Sequence, residues 1–259
     1  MEIAKMPLLE RSDHEGALVL TLNRPDKRNA LNAALWEELC EALVEAREQA
    51  ARCVVLAGAG KAFCGGGDVS EAVDADDAFF EKIYRLTHQA VEALYTLPCP
   101  TIAMVHGAAI GAGLELALAC DFRFAGESSF FDIGFTRFAA PPEAISAAML
   151  PRLLGLEQAK YWVFTGERWT GEQARANGLV GALFPDEQLR NETMAFATQL
   201  ASGPTAAYGM GKNLMNQSYD RSVEDTMAAT LHDGLASMKT SDAAEAIKAM
   251  VERREPNFT

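Results

Sequence analysis

The chain has 259 residues, 49% of them hydrophobic and 23% charged, with a formal net charge of -13. That length and balance suit one large globular domain or a domain with an appendage. The acidic surface, relieved only by short basic groups such as Lys27-Arg28 and Arg253-Arg254, argues against nucleic acid as a partner, and no apolar run approaches the roughly 20 residues of a membrane span.

The N-terminal "MEIAKMPLLERSDHEG" has no basic segment ahead of an apolar core, so it does not read as a secretory leader. "ALVLTL" (17–22) reads as a strand, and "NRPDKRNALN" after it as a loop. Asn32 is placed to cap a helix in which Leu35, Leu39, Leu43 and Ala46 recur at helical spacing. "CVVLAG" (53–58) is short, apolar and valine-rich, as a buried strand is. The glycine run "KAFCGGGDV" (61–69) follows it, and then an amphipathic helix over 77–95 that ends at the Pro98 and Pro100 loop. "TIAMV" (101–105) is a second buried strand, again followed by small residues and glycine and then by a helix, in "HGAAIGAGLELALAC". "DFRFAG" and "SSFF" read as two more strands. From about residue 143 the pattern is helical almost to the end, with a capping box at Thr170–Gln173 and a looser one at Ser222–Asp225. The last 55 residues show three helical patterns and no strand, so an α/β body over 1–200 with a helical C-terminal domain over 201–259 is expected.

Five scattered cysteines without a C-x-x-C read as reduced thiols of a cytoplasmic protein. The four histidines form no close ligand pair, so no metal is expected. Gly60-Lys61 lacks both the upstream glycine and the following Ser or Thr of a phosphate-binding loop, "GAAIGAG" lacks dinucleotide spacing, and no G-x-S-x-G is present. Two glycine-rich turns remain, each after a buried strand, with Glu115 inside the helix that the second one opens. The first N–H groups of a helix lack internal partners, and two N–H groups aimed at one point make an oxyanion hole. Tight turns with no ligand would use the same residues.

"LNRPDKRNALN", "KAFCGGGDV", "VHGAAIGAGLELALACDFRFA" and "LPRLLG", together with "TGERWTGEQARANGLV" and the "SDAAEAIKAMVERREPNF" tail, resemble the crotonase (enoyl-CoA hydratase/isomerase) family over essentially the whole chain. The resemblance implies an α/β spiral of β-β-α units with a helical C-terminal domain, assembled as trimers often paired into hexamers. It implies an acyl-coenzyme A thioester substrate, with coenzyme A as part of the substrate and no separate cofactor. It also implies an enolate held by two backbone N–H groups, carried over here to Gly65 and Ala112. By the same resemblance Asp68 fixes the first loop, the coenzyme passes near Lys27, Ala30 and residues Gly65, Gly66, Gly67, Asp68 and Val69, and Phe258 belongs to a core, an interface or a neighbouring site.

Hydratases of the family hold a water between two glutamates. Glu115 matches the first, whereas "FDIGF" (131–135) puts Gly134 and Phe135 where the second is expected. Glu143, eight residues before Pro151, stands where several Δ3-Δ2 enoyl-CoA isomerases keep their acid-base carboxylate, although those isomerases usually lack the glutamate kept here as Glu115. "APPEAIS" also resembles a stretch of methylglutaconyl-type hydratases, in which Glu143 would be only a helix-start charge. The catalytic expectation is therefore Glu115 and Glu143, with double-bond isomerisation ahead of hydration. A decarboxylase or another coenzyme A reaction on the same frame is a further reading, and an RNA-binding or non-catalytic homologue is disfavoured by the charge and by the retained glycine turns.

Overall fold

The computed structural model describes residues 7–258, and the N-terminal stretch examined for a leader begins outside them. Two antiparallel strands, β1 (Leu9–His14) and β2 (Ala17–Leu22), open the chain through a turn at Glu15 and Gly16, both at positive φ. Helix α1 (Ala33–Glu48) follows, its Asn32 side chain accepting the Leu35 N–H, and leads into β3 (Cys53–Gly58). After the glycine run come α2 (Asp77–Tyr95), β4 (Thr101–Val105), β5 (Ala108–Ile110) and α3 (Ala112–Ala119). The body continues through β6 (Phe122–Gly126), β7 (Phe130–Asp132), α4 (Ser146–Leu154), α5 (Leu156–Thr165), β8 (Arg168–Thr170), α6 (Gly171–Ala176), β9 (Ala182–Phe184) and α7 (Asp186–Ala201). Three helices close the chain: α8 (Thr205–Asn216), α9 (Val223–Ser237) and α10 (Ser241–Glu252).

The main sheet has the order β1-β2-β3-β4-β6-β9, parallel from β2 onward, and a second sheet has the order β5-β7-β8. Successive strands divide between the sheets: β4 lies in the first and β5 in the second before α3, and β6 and β7 repeat that step. The glycine run is a shorter version of it, because after β3 the chain makes an isolated bridge from Cys64 to Ala109 of β5 before α2. This is the β-β-α spiral.

Strand β3 is apolar throughout because both of its faces are covered. Val54 and Leu56 face the large core with α1, α2 and α3, while Cys53, Val55 and Ala57 face α7 through Leu189, Met194 and Ala197. Full burial of a side chain such as Leu56 contributes about 1.5–3 kcal/mol. Helix α8 is pinned by Lys212, whose buried ammonium lies 2.9 Å from Asp121 Oδ2.

Four strands depart from the sequence expectation, and β5 is one of them, lying where only small residues and a glycine turn were read. β1 has a single buried residue, so it carries no apolar alternation to read. β8 and β9 lie inside the stretch expected to be helical after residue 143. Each is three residues long, too short to display a period, and each exists because a neighbouring strand presents a free edge.

Candidate active site

The two glycine turns lie side by side. Cys64 donates its N–H to Ala108 O at 2.9 Å, and its carbonyl accepts the Ile110 N–H at 3.1 Å. Gly66 has φ +99, and a Cβ there would stand 3.0 Å from Ile110 O. A Cβ on Gly113 would fall 2.6 Å from Cys64 Cβ, so the first turn of α3 rests directly on the first glycine turn. Glycine is required at both places because backbone meets backbone.

The N–H groups of these turns divide into occupied and open. Gly65, read from the sequence as the first oxyanion donor, gives its N–H to Arg28 O at 2.8 Å, so that donor is not open to a ligand. Gly66 N–H faces Cys64 Sγ at 3.4 Å. Gly67 N–H has no partner among the described residues, because the bridge to Leu31 uses Gly66 O and Asp68 N–H, and the space where a Gly67 Cβ would lie is empty to 4 Å. In the second turn Gly111 N–H goes to Asp132 O at 3.0 Å. Ala112, the first residue of an uncapped helix, has no partner for its N–H among the described residues. The open pair is therefore Gly67 and Ala112.

The first turn is held by residues that sequence reasoning did not single out. Asn29 is fully buried, accepts Arg24 N–H at 2.9 Å, and donates to Ala59 O and Ala62 O at 2.8 and 2.7 Å. Arg24 Nη2 binds Asp68 Oδ2 at 2.8 Å, and Ser70 occupies Asp68 Oδ1. Partial burial works against the Asp68 charge, but the hydrogen bonds from Ser70 and Arg24 outweigh it and hold the carboxyl below its usual range. Both oxygens of Asp68 are thus engaged within the loop. The signal was present in the sequence, in the Arg and Asn of "NRPDKRNALN", but a polar loop residue gives no hint of burial until the loop is packed. Lys27 and Val69 are exposed and Ala30 half-buried, all on the outer rim of this loop.

Glu115 lies in the first turn and a half of α3 and is fully buried. Its Oε2 accepts the N–H groups of Ile145 and Ser146, at 3.0 and 2.8 Å, where α4 begins. Its Oε1 has no partner among the described residues. Burial pushes the Glu115 carboxyl up to about 7; hydrogen bonds from Ser146 and Ile145 oppose the rise and the charge of Glu143 adds to it. Glu143 is half-buried, and burial pushes it up to about 7 as well. The turn 143–146 joins the two, since Ser146 gives its N–H to Glu143 O and to Glu115 Oε2. Phe135 is a buried core residue, so no carboxylate stands at that place. Cys64 is not a nucleophile here, because burial pushes its thiol up to about 12.

A model of the enoyl-CoA hydratase/isomerase family matches residues 12–259. The chain belongs to this family. A Rhodobacter capsulatus relative named "Probable enoyl-CoA hydratase" is 37% identical over 248 residues, 95% of each chain. The Escherichia coli 1,2-epoxyphenylacetyl-CoA isomerase is 31% identical over 95% of each chain. The crystal structure of an enoyl-CoA hydratase from Bacillus anthracis superposes with a TM-score of 0.93 at 31% identity, covering 97% of this chain and 98% of that one. The protein is thus an enzyme of the enoyl-CoA hydratase/isomerase type with the crotonase fold.

Within this family member, a cavity of about 680 Å³ lies behind the 144–148 segment, between α2, α4 and α8, and contains neither the glycine turns nor the two carboxylates. Outside that cavity stand the two N–H groups without partners among the described residues, on Gly67 and Ala112, and the two carboxylates that burial raises to about 7. No helix among the described residues is long and apolar enough to cross a membrane.

Proposed function

We propose that the protein isomerises the double bond of a 3-enoyl-CoA thioester, moving a proton from C2 to C4 through an enolate. Gly67 and Ala112 N–H groups stabilise the thioester oxygen as it gains charge, Glu143 removes and returns the proton, and Glu115 assists or sets the charge of the pocket. The observation that carries this reading is that Glu115 binds the turn that carries Glu143 and that burial raises both carboxylates to about 7, with Phe135 at the place of a second water-holding glutamate. A group whose pKa lies near the working pH is equally able to take and to give a proton, as one base serving two carbons requires. Lys27, Ala30, Val69 and the rim of the first turn are the proposed path of the coenzyme, which enters as part of the substrate.

Hydration of a 2-enoyl-CoA is the second reading. It is favoured by the unpartnered Glu115 Oε1, which leaves an acceptor for a water, and by hydratase names among the relatives. Incubation with 2-enoyl- and 3-enoyl-CoA followed by mass analysis separates the two: hydration adds the mass of a water and isomerisation adds none. A water adduct as the main product would overturn the isomerase reading.

The proposed assembly is a trimer or hexamer sealed by the helical C-terminus. Met215, Met227, Leu231, Leu235 and Met238 are each at least 60% exposed along α8, α9 and its end, more apolar surface than isolated helices leave in water. Light scattering that shows a monomer at micromolar concentration would contradict it. A cytoplasmic location and the absence of a nucleic-acid partner are part of the same proposal.

A further inference from the structure

Asp132, at the end of β7, is fully buried, and the reaction proposed above does not use it. Its Oδ1 accepts the Gly134 N–H at 3.0 Å. Its Oδ2 lies 2.7 Å from Arg137 Nη2 and 3.5 Å from Arg168 Nε, ion-pair contacts to the 3-10 turn Phe135–Phe138 and to β8 that lack hydrogen-bond geometry. Its main-chain carbonyl accepts the Gly111 N–H at 3.0 Å. A buried polar group costs stability unless it is partnered.

The consequence lies one residue beyond Gly111. Gly134 is held at φ +70 by the Asp132 side chain, and a Cβ on Gly134 would stand 3.3 Å from both N and Cα of Gly111. Gly111, at φ +49 and ψ -116, immediately precedes Ala112, and rotation about its ψ swings the peptide plane that carries the Ala112 N–H. Asp132 therefore grips Gly111 twice, through its own carbonyl and through the packing of Gly134.

We propose that Asp132 is a positioning residue for the enolate-forming step: its side chain holds the 132–134 turn against Gly111, and that contact fixes the direction of the Ala112 N–H. The inference rests on the reading of Ala112 as an oxyanion donor. A misplacement of about 1 Å at a reacting group costs on the order of 10²-fold in rate. The carboxylate acts on turnover while standing outside the substrate's reach, behind the helix start.

The test reads enolate formation directly, as the exchange of the C2 hydrogens of butyryl-CoA in D2O, beside kcat and KM on 3-hexenoyl-CoA. Asp132→Ala should slow exchange and kcat by about tenfold to a hundredfold with KM changed by no more than about threefold. Asp132→Asn should recover most of the rate, because its amide oxygen can still accept the Gly134 N–H. Gly134→Ala presses a methyl group onto Gly111 while keeping the Asp132 side chain, so it reproduces the loss and serves if Asp132→Ala does not fold. Wild-type exchange in a folded Asp132→Ala or Gly134→Ala overturns the proposal, as does an Asp132→Asn no better than Asp132→Ala. Ala112→Pro is measured alongside. Normal exchange in that variant would sink the donor reading itself, whereas a crippled Ala112→Pro beside a normal Asp132→Ala would sink only the role of Asp132.

Discussion

The two glycine turns look alike in the sequence, yet they expose an N–H by different physics. The first, at 64–67, is a loop with no helix behind it, and residues 24–31 keep it in place: Asn29 binds the carbonyls of Ala59 and Ala62 just before it, Arg24 holds Asp68, and the main-chain carbonyl of Arg28 takes the Gly65 N–H. Only after those bonds are made is Gly67 N–H left over. The second turn opens α3, and Ala112 N–H is open because the first residues of any helix lack an internal acceptor. One donor is a remainder of a dense polar network; the other is a property of helix geometry. Disturbing the network should therefore damage folding, and disturbing the helix start should damage turnover.

The largest expected effect separates both turns from the base. Glu143→Gln keeps the size of the side chain but cannot accept a proton, so kcat on 3-enoyl-CoA should fall about 10²–10⁴-fold while affinity for a saturated acyl-CoA, followed by calorimetry, is unchanged. A variant that turns over every substrate like wild type would reduce Glu143 to a helix-start charge.

The comparison of the turns is broken most directly by removing each donor. Ala112→Pro and Gly67→Pro should each cost about 10²–10³-fold in kcat, the usual loss for one oxyanion donor. Proline suits the first turn of a helix, which keeps the Ala112 variant foldable. Gly65→Ala retains its N–H bond to Arg28 O and should stay within about tenfold of wild type by the same measure. A Gly65 variant as damaged as Gly67→Pro would return the first donor to Gly65.

Asn29→Ala tests the network. It leaves the Ala59 and Ala62 carbonyls and the Arg24 N–H without their side-chain partner, and it places alanine at φ +56. A loss of about 3 kcal/mol in urea unfolding is expected. An unchanged midpoint would show that the first turn does not depend on this residue.

The smallest effect depends on pH. Burial raises the Glu115 carboxyl from 4.5 to about 7, so the folded protein takes up a proton between those values. Wild-type stability should therefore fall as pH rises from about 4.5 to about 7 and level off above, because the ionised carboxylate is the form that burial disfavours. Glu115→Gln carries no such charge. It should be more stable than wild type by up to about 3 kcal/mol above pH 7, with the difference vanishing below pH 4.5. Thermal melts across that range check the sign, and a variant equally destabilised at every pH would show that the bonds to Ile145 and Ser146 matter more than the charge.

Much of the fold was legible in the chain. Helix α2 runs over the 77–95 read from its apolar spacing, and the Asn32 and Thr170 caps form as their side chains dictate. β8 and β9 were hidden because three residues cannot show a period and a strand that short depends on the edge it joins. At the candidate site the residue types were legible and the bonding was not: the sequence offers three consecutive glycines and cannot say which N–H meets Arg28 O.

By itself the sequence determined the local events: strand, glycine turn and helix twice over, a glutamate in the second helix, and Phe135 in place of a second carboxylate. The strands, turns and helices follow from backbone propensity and side-chain period, which act over a few residues, and the reading of Phe135 follows from the family resemblance. Tertiary structure alone decided that Gly67 rather than Gly65 is open, that Asn29 and Asp132 are buried, and that Glu115 binds the turn that carries Glu143, both carboxylates being raised to about 7. The physical reason is distance along the chain: residue 29 meets residue 62, and residue 115 meets residue 145, only when the sheets close. Desolvation, which sets both carboxylates, exists only once that closure has removed the water.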